Sequence, residues 1–282
     1  MFDILRKSLA VGIVTETARP APGAEPAPGR GRPEIDFAAW ADARPAAAAC
    51  PTGALACAGD TVSRTVTLDL GKCTFCGLCA EADPRVRMSR LTELAARQRA
   101  DLITTARYAL KADGTHEKLI ANQTAPAAAG PAAADAVEAL GNEVKRRIDK
   151  ALGRSLHIRE VDAGSCNGCE IEVGGLNCPV YDVERFGIHF VASPRYADML
   201  LVTGPVSRNM ELALRKTYDA TPEPRLVVAA GACACGGGIF GCNYASLGGV
   251  EKVLPVDVFI PGCPPSPRAL LQGIFLALGK RW

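Results

Sequence analysis

The chain has 282 residues, with 32 Lys and Arg against 30 Asp and Glu, for a formal net charge of +2. That near-balance excludes a polycation built to wrap nucleic acid, and no nucleic-acid partner is expected. With 48% hydrophobic residues, 5% aromatic, 28 Gly and 20 Pro, the sequence is that of a globular protein. It is long enough for about two domains and needs no disulfides to fold.

The start, MFDILRKSLAVGIVTE, has no long apolar core, no Ala-x-Ala site and no twin arginine, so export is not expected. Residues 18–33, ARPAPGAEPAPGRGRP, cannot bury a core and read as a flexible segment. Short β-like pieces such as TVTLDL accompany the cysteines of residues 50–79. Residues 90–112, RLTELAARQRADLITTARYALKA, carry apolar positions at helical spacing with few breakers, which predicts a helix. QTAPAAAGPAAA at 123–134 reads as a linker, and a second helix is expected from Asp135 to Leu152, with basic residues near its C-terminus.

From residue 155 the pattern changes. LHIREVD, DMLLVTG, RLVVAAGA and VDVFIPG are short apolar runs ending in Gly or Asp, separated by stretches long enough for helices, such as NMELALRKTYDA. This alternation predicts βαβ units around a parallel sheet. Ligands of such sheets gather at the carboxyl ends of the strands, and three of the four runs lead straight into cysteines: GSCNGC, GACAC and PGCPP. The longest uncharged stretch, Leu226 to Val250, contains seven glycines and is not a membrane span.

The 12 cysteines fall in two groups, 50–79 and 166–263. In a reducing compartment such richness points to metal ligation or redox work. In CTFCGLC, Cys73, Cys76 and Cys79 can wrap one face of an iron–sulfur cube, and Cys50-Pro51 supplies the remote Cys-Pro partner. The segment resembles a two-cluster bacterial ferredoxin that has lost one cluster. DFAAWADARPAAAAC lacks the first three-cysteine run, and the second run ends in Asp83-Pro84 where Cys-Pro is expected. A zinc staple is the competing reading, but zinc usually takes two separated Cys-x-x-Cys knuckles. Cys57 is left over and reads as a small buried hydrophobe.

In the second group, Cys166, Cys169, Cys233 and Cys263 each sit in a glycine-bearing loop, and four converging thiolates suit a second 4Fe–4S cluster. The words DAGSCNGCEIEV, DVERFGI, SPRYADMLLVTGPV, GACACGGGIF and VLPVDVFIPGCPPSP resemble the small-subunit family shared by nickel–iron hydrogenases and the 20 kDa subunit of respiratory complex I. Within it they are most similar to the formate hydrogenlyase and energy-converting, group 4 hydrogenase branch. The complex I branch has two adjacent cysteines where this chain has Cys-x-x-Cys. The resemblance implies cluster ligands at Cys166, Cys169, Cys233 and Cys263. Cys235 and Cys242 lie close after Cys233 and compete with it for that place. With Cys178 they fall outside the pattern and read as inert thiols. The resemblance also implies an acidic residue facing the catalytic subunit at Glu170, either passing protons or acting as a supporting carboxylate. MFDILRK, GRPEID, CPTGAL, LGKCTFCGLC and ARYAL resemble the ferredoxin-type subunit of the same complex, normally a separate chain.

The expected architecture is α/β. A flavodoxin-like parallel-sheet domain at 153–282 follows an N-terminal α+β ferredoxin-like domain at 1–112, joined by an Ala/Pro linker and helix at 113–152. The resemblance implies an electron relay with two 4Fe–4S clusters. It would run between a nickel–iron large subunit and a donor such as a formate dehydrogenase or ferredoxin module. Membrane-arm subunits would hold the complex on the cytoplasmic side of the inner membrane. A quinone-reducing complex I relative and a nickel-free hydrogenase-like complex are the alternatives. No acid–base constellation stands out, so the chain alone should turn nothing over. GACACGGGIFG lacks the Gly-Lys-Ser/Thr of a phosphate loop, and His116, His157 and His189 are scattered.

Overall fold

The computed structural model describes residues 30–124 and 137–279, together with Arg6 and Ala10. Residues 18–29 of the segment read as flexible, and 125–134 of the linker, lie outside the described residues.

The N-terminal half runs β1 (Pro33–Ile35), α1 (Arg44–Ala48), β2 (Leu55–Gly59), β3 (Ser63–Asp69), α2 (Leu78–Ala82), β4 (Val86–Met88), β5 (Ile103–Leu110) and β6 (His116–Gln123). β1 and β4 form an antiparallel ribbon, Pro33 opposite Met88 and Ile35 opposite Val86. The other four strands form an antiparallel sheet in the order β2-β3-β5-β6.

The helix expected over 90–112 does not form. One 3-10 turn at Arg99–Leu102 is followed by β5. ITTARYAL satisfies a period of two as well as a helical one: Thr104, Ala106 and Tyr108 are buried while the residues between them are not. Its β-branched start suits a strand, and pairing with β3 on one side and β6 on the other decides the outcome. β6 falls within the stretch read as linker and helix. It is reached through Asp113-Gly114, where Gly114 adopts φ +79° and the Asp113 carboxylate accepts from the Thr115 N–H and hydroxyl. Asp-Gly is a hairpin signal that the run of small polar residues around it obscures.

The C-terminal half begins with α3 (Val137–Leu152), matching the second expected helix. It continues β7 (Leu156–Asp162), α4 (Gly168–Gly175), β8 (Ile188–Phe190), β9 (Met199–Thr203), α5 (Arg208–Ala220), β10 (Leu226–Ala230), α6 (Ala232–Gly236), β11 (Val258–Ile260) and α7 (Pro267–Leu278). The strands pair in parallel in the order β8-β7-β9-β10-β11. Counted from β7 this is the flavodoxin-like order 2-1-3-4-5, with its switch point between β7 and β9. β9 and β10 are buried throughout, as continuous apolar runs in a parallel sheet should be.

The two faces of this sheet belong to different cores. Ile158, Met199, Leu201, Val228 and Ile260 pack with Val144 and Ile148 of α3 and Leu270, Leu271 and Ile274 of α7. Leu200, Val202, Val227, Ala229 and Phe259 share a single cluster with Leu214 of α5 and with Trp40, Leu94 and Leu102 of the N-terminal half. Ala96 also pairs antiparallel with Phe259 through both backbone hydrogen bonds, 2.9 and 2.8 Å, which covers the outer edge of β11. The N-terminal half is therefore the cover of the sheet's second face.

Candidate functional site

Four cysteines of the second group meet beyond the carboxyl ends of the parallel strands. After β7 the chain turns on Asp162, whose Oδ1 accepts from the N–H groups of Gly164 and Ser165, both at 2.7 Å. Cys166 follows, and Asn167 in the left-handed region (φ +68°) leads into α4, which carries Cys169 in its first turn. Cys233 lies on α6, two residues after Gly231, which follows β10. Cys263 follows β11 and Gly262. The last two loops are tied together by Gly231 N–H to the Ile260 carbonyl (2.8 Å) and Ala232 N–H to the Gly262 carbonyl (2.7 Å).

The thiols of Cys169, Cys233, Cys263 and Cys166 act on one another. Burial pushes Cys169 up, and Glu170, Cys233, Cys263 and Cys166 add to it. Cys233 is pushed up to about 11 by burial, then by Cys263 and Cys166. Raised thiols favour the protonated form, so binding a metal group at Cys169 and Cys233 is coupled to their loss of protons. The cradle is shaped for something bulky at the sulfurs. A Cβ on Gly231 (φ +93°) would lie 2.6 Å from Cys169 Sγ, and one on Gly238 (φ +51°) would lie 2.9 Å from Cys233 Sγ. Cys235 is fully buried and donates its thiol to the Ala229 carbonyl at 3.4 Å, facing into the core. Cys242 is exposed and packs beside Gly248. Of the three rivals for one place, only Cys233 faces Cys166 and Cys263.

The first group is brought together in the N-terminal half. Cys50, Cys73, Cys76 and Cys79 line one pocket with Pro33, Leu55, Leu68 and Met88. Cys50 follows α1, Cys73 and Cys76 precede α2, and Cys79 lies on it. Backbone N–H groups point at sulfur, Leu55 N to Cys50 Sγ and Phe75 N to Cys73 Sγ, each at 3.4 Å. Burial raises Cys73 to about 12, and Cys50, Cys79 and Cys76 add to the shift. Among the described residues no group of three His, Cys, Asp or Glu side chains is drawn in tightly enough for a single metal ion. A four-iron cube spreads its thiolates wider than one zinc ion does. On donor chemistry alone both sets fit an iron–sulfur cube: thiols, with N–H donors or glycine clearance at the sulfurs.

Where the ferredoxin pattern would place a fourth cysteine stands Asp83, which is 8% exposed. It accepts from the indole N–H of Trp40 at 2.6 Å and from the Arg85 N–H at 2.9 Å. Phe37 packs edge-on to Trp40, and His116 stacks on Tyr108 with ring centroids 3.8 Å apart. The Tyr108 hydroxyl donates to the Phe37 carbonyl at 2.8 Å, and His116 Nδ1 lies 2.9 Å from the Trp40 carbonyl. Burial lowers the His116 pKa, and because a carbonyl only accepts, Nδ1 carries the hydrogen of this bond. The aromatic residues fill this end of the unit.

Glu170 sits partly buried on α4, bonded by the Thr203 hydroxyl, with Oε2 buried and without a hydrogen-bond partner among the described residues. The same hydroxyl lies 3.4 Å from Glu160 of β7, whose carboxyl is pushed up by burial and by Glu170. The sequence reading missed Glu160 and Thr203. They lie at the ends of adjacent parallel strands, and strand-end polar residues beside a cysteine loop are the signal that would have found them. His157 and His189 pair edge-on at the opposite end of β7 and β8, remote from the cysteines in the fold.

The family model for the NADH ubiquinone oxidoreductase 20 Kd subunit matches residues 166–277, starting at the first of the converging cysteines and containing all four. A probable membrane-bound hydrogenase subunit of Pyrococcus furiosus is 44% identical over 146 residues, 49% of this chain and 87% of that protein. Formate hydrogenlyase subunit 7 of Escherichia coli is 47% identical over 136 residues, 48% of this chain and 53% of that protein. A chain of the membrane-bound sulfane sulfur reductase, an archaeal respiratory membrane complex, is 36% identical with a TM-score of 0.41, covering 49% of this chain and 75% of that one. With those cysteines on a parallel sheet of this order, the chain belongs to the family of the NADH ubiquinone oxidoreductase 20 Kd subunit, a family of oxidoreductase-complex subunits.

Proposed function

We propose that the chain is the electron-relay subunit of a membrane-bound complex of hydrogenase type and holds two 4Fe–4S clusters. Cys166, Cys169, Cys233 and Cys263 hold one; Cys50, Cys73, Cys76 and Cys79 hold the other. Bound there, the clusters would supply single-electron carriers. The observation that carries the reading is where the two loops approach: the Gly71 carbonyl and the Lys72 stem, just before Cys73, lie against Gly236 on the helix that carries Cys233. The chain's own work is to hold the groups, direct N–H donors at sulfur and keep water out, which together set a cluster's potential.

On this reading the N-terminal half is a ferredoxin-like unit with one cluster lost, fused ahead of the family domain at 153–282. The antiparallel sheet carries that unit past residue 112 to Gln123. The partners are a large subunit with a nickel–iron centre, membrane-arm subunits, and a donor such as a formate dehydrogenase or ferredoxin module. Among the described residues no helix is long and apolar enough to cross a membrane, and the chain sits on the cytoplasmic side through its complex.

The test is metal analysis of the complex drawn from gently solubilised membranes by a tag on this chain. The expected result is nickel near one and at least about eight iron per chain, two cubes' worth. Iron without nickel would keep the relay and remove the hydrogenase. Zinc without iron would overturn the whole reading.

A further inference from the structure

A largely buried guanidinium lies between the two cysteine loops. Arg99, in the 3-10 turn before β5, has a side chain only 15% exposed. Its Nε donates to the Cys235 carbonyl at 2.8 Å, in the helix that carries Cys233. Its Nη2 donates to Asp69 Oδ2 at 2.6 Å, and Asp69, with a side chain 10% exposed, holds the Gly71 N–H through Oδ1 at 3.0 Å, two residues before Cys73. The third nitrogen, Nη1, is buried and has no hydrogen-bond partner among the described residues.

The backbone on both sides makes way for this group. A Cβ on Gly71 would lie 2.7 Å from Nη1, and one on Gly236 would lie 2.8 Å from Nη2. Gly236 also rests against the stem of Lys72 and the Gly71 carbonyl, so the loop of one set lies directly on the helix of the other. A planar guanidinium can fork to both in a way that an ammonium cannot.

We infer that Arg99 and Asp69 form a charged pin between the two cluster loops that sets both their spacing and the relative ease of reducing the two clusters. The inference rests on the two-cluster reading given above. Reduction adds negative charge, and buried charges close by act through a low dielectric. Removing the cation leaves the Asp69 carboxylate uncompensated and makes reduction harder. Neutralising Asp69 leaves the cation uncompensated and makes reduction easier.

The experiment is a redox titration of the intact complex, followed by electron paramagnetic resonance, with Arg99→Gln and Asp69→Asn beside the parent chain. Asparagine keeps the acceptor for the Gly71 N–H. The expected result is opposite displacement: at least one cluster signal moves to lower potential in Arg99→Gln and to higher potential in Asp69→Asn. Should Arg99→Gln fail to retain iron, a rise in Asp69→Asn alone supports the inference. Unchanged potentials, shifts of the same sign, or loss of iron from both variants would make the pair a packing device only and overturn it. A parent complex without two reduced-cluster signals would sink the two-cluster reading first, an outcome separate from unchanged potentials in a parent that shows both.

Discussion

Gly231 shows how narrowly a single position can be determined here. It joins β10 to the helix carrying Cys233, at φ +93°, and its missing side chain leaves 2.6 Å to the sulfur of Cys169. Alanine would meet both obstacles at once, the left-handed backbone and the sulfur. Gly231→Ala is therefore expected to empty the C-terminal set and leave the other loaded. Iron should fall from about eight to about four per chain, and one of two paramagnetic signals should vanish. Retention of both signals would mean that Cys169 is not a ligand. The raised thiols of Cys169, Cys233 and Cys73 work in the same direction. Each is pushed up chiefly by burial, so these three thiols give up their protons more readily to a bound metal group than to water.

Among the elements, the ribbon and short helices of the N-terminal half hold Asp83, which stands where the ferredoxin pattern would place a cysteine. The Trp40–Asp83 bond is buried, and the carboxylate has the Arg85 N–H as its other partner. Trp40→Phe should cost about 1–3 kcal/mol by leaving part of that charge unsatisfied, read as a lower denaturation midpoint by circular dichroism. Asp83→Cys should not add iron, because Phe37, Trp40 and Tyr108 occupy the space; a gain of iron would show that the site is still open. That Asp83 stands where the ferredoxin pattern would place a cysteine was legible in the sequence, since it is written in residue types at fixed spacing. So were β7, β9, β10 and β11, whose short apolar-rich runs end in Asp or lead into glycine loops. β5 and β6 were not legible. An alanine-rich strand reads equally well at either period, and its edge partner is almost wholly exposed, with no apolar face to announce it. The opposite placing of Cys233 and Cys235, one thiol toward the loops and the other into the core, was not legible, because it depends on how α6 sits on the sheet.

At the scale of the molecule, one end of the chain is unfinished. Beside the converging cysteines, Ile171 on α4 is 67% exposed, and Ile239 and Phe240 in the loop after α6 are 61% and 47% exposed. These apolar groups come from different segments that share only their nearness to the cysteine loops. The opposite face of the sheet is already covered by the N-terminal half, and α3 and α7 cover the other. Apolar surface left bare at one end of so thoroughly covered a sheet is the mark of a partner face. The proposed relay needs a catalytic subunit at that end. Ile239→Asp with Phe240→Asp should therefore reduce recovery of the large subunit with the tagged chain at least several-fold, since buried apolar anchors carry most of an interface's energy. The iron content of the tagged chain should not change, because neither side chain is among the cluster ligands. Undiminished recovery would place the catalytic subunit elsewhere. Loss of iron together with loss of the partner would mean that the loop shapes the cluster site itself and is not a docking face.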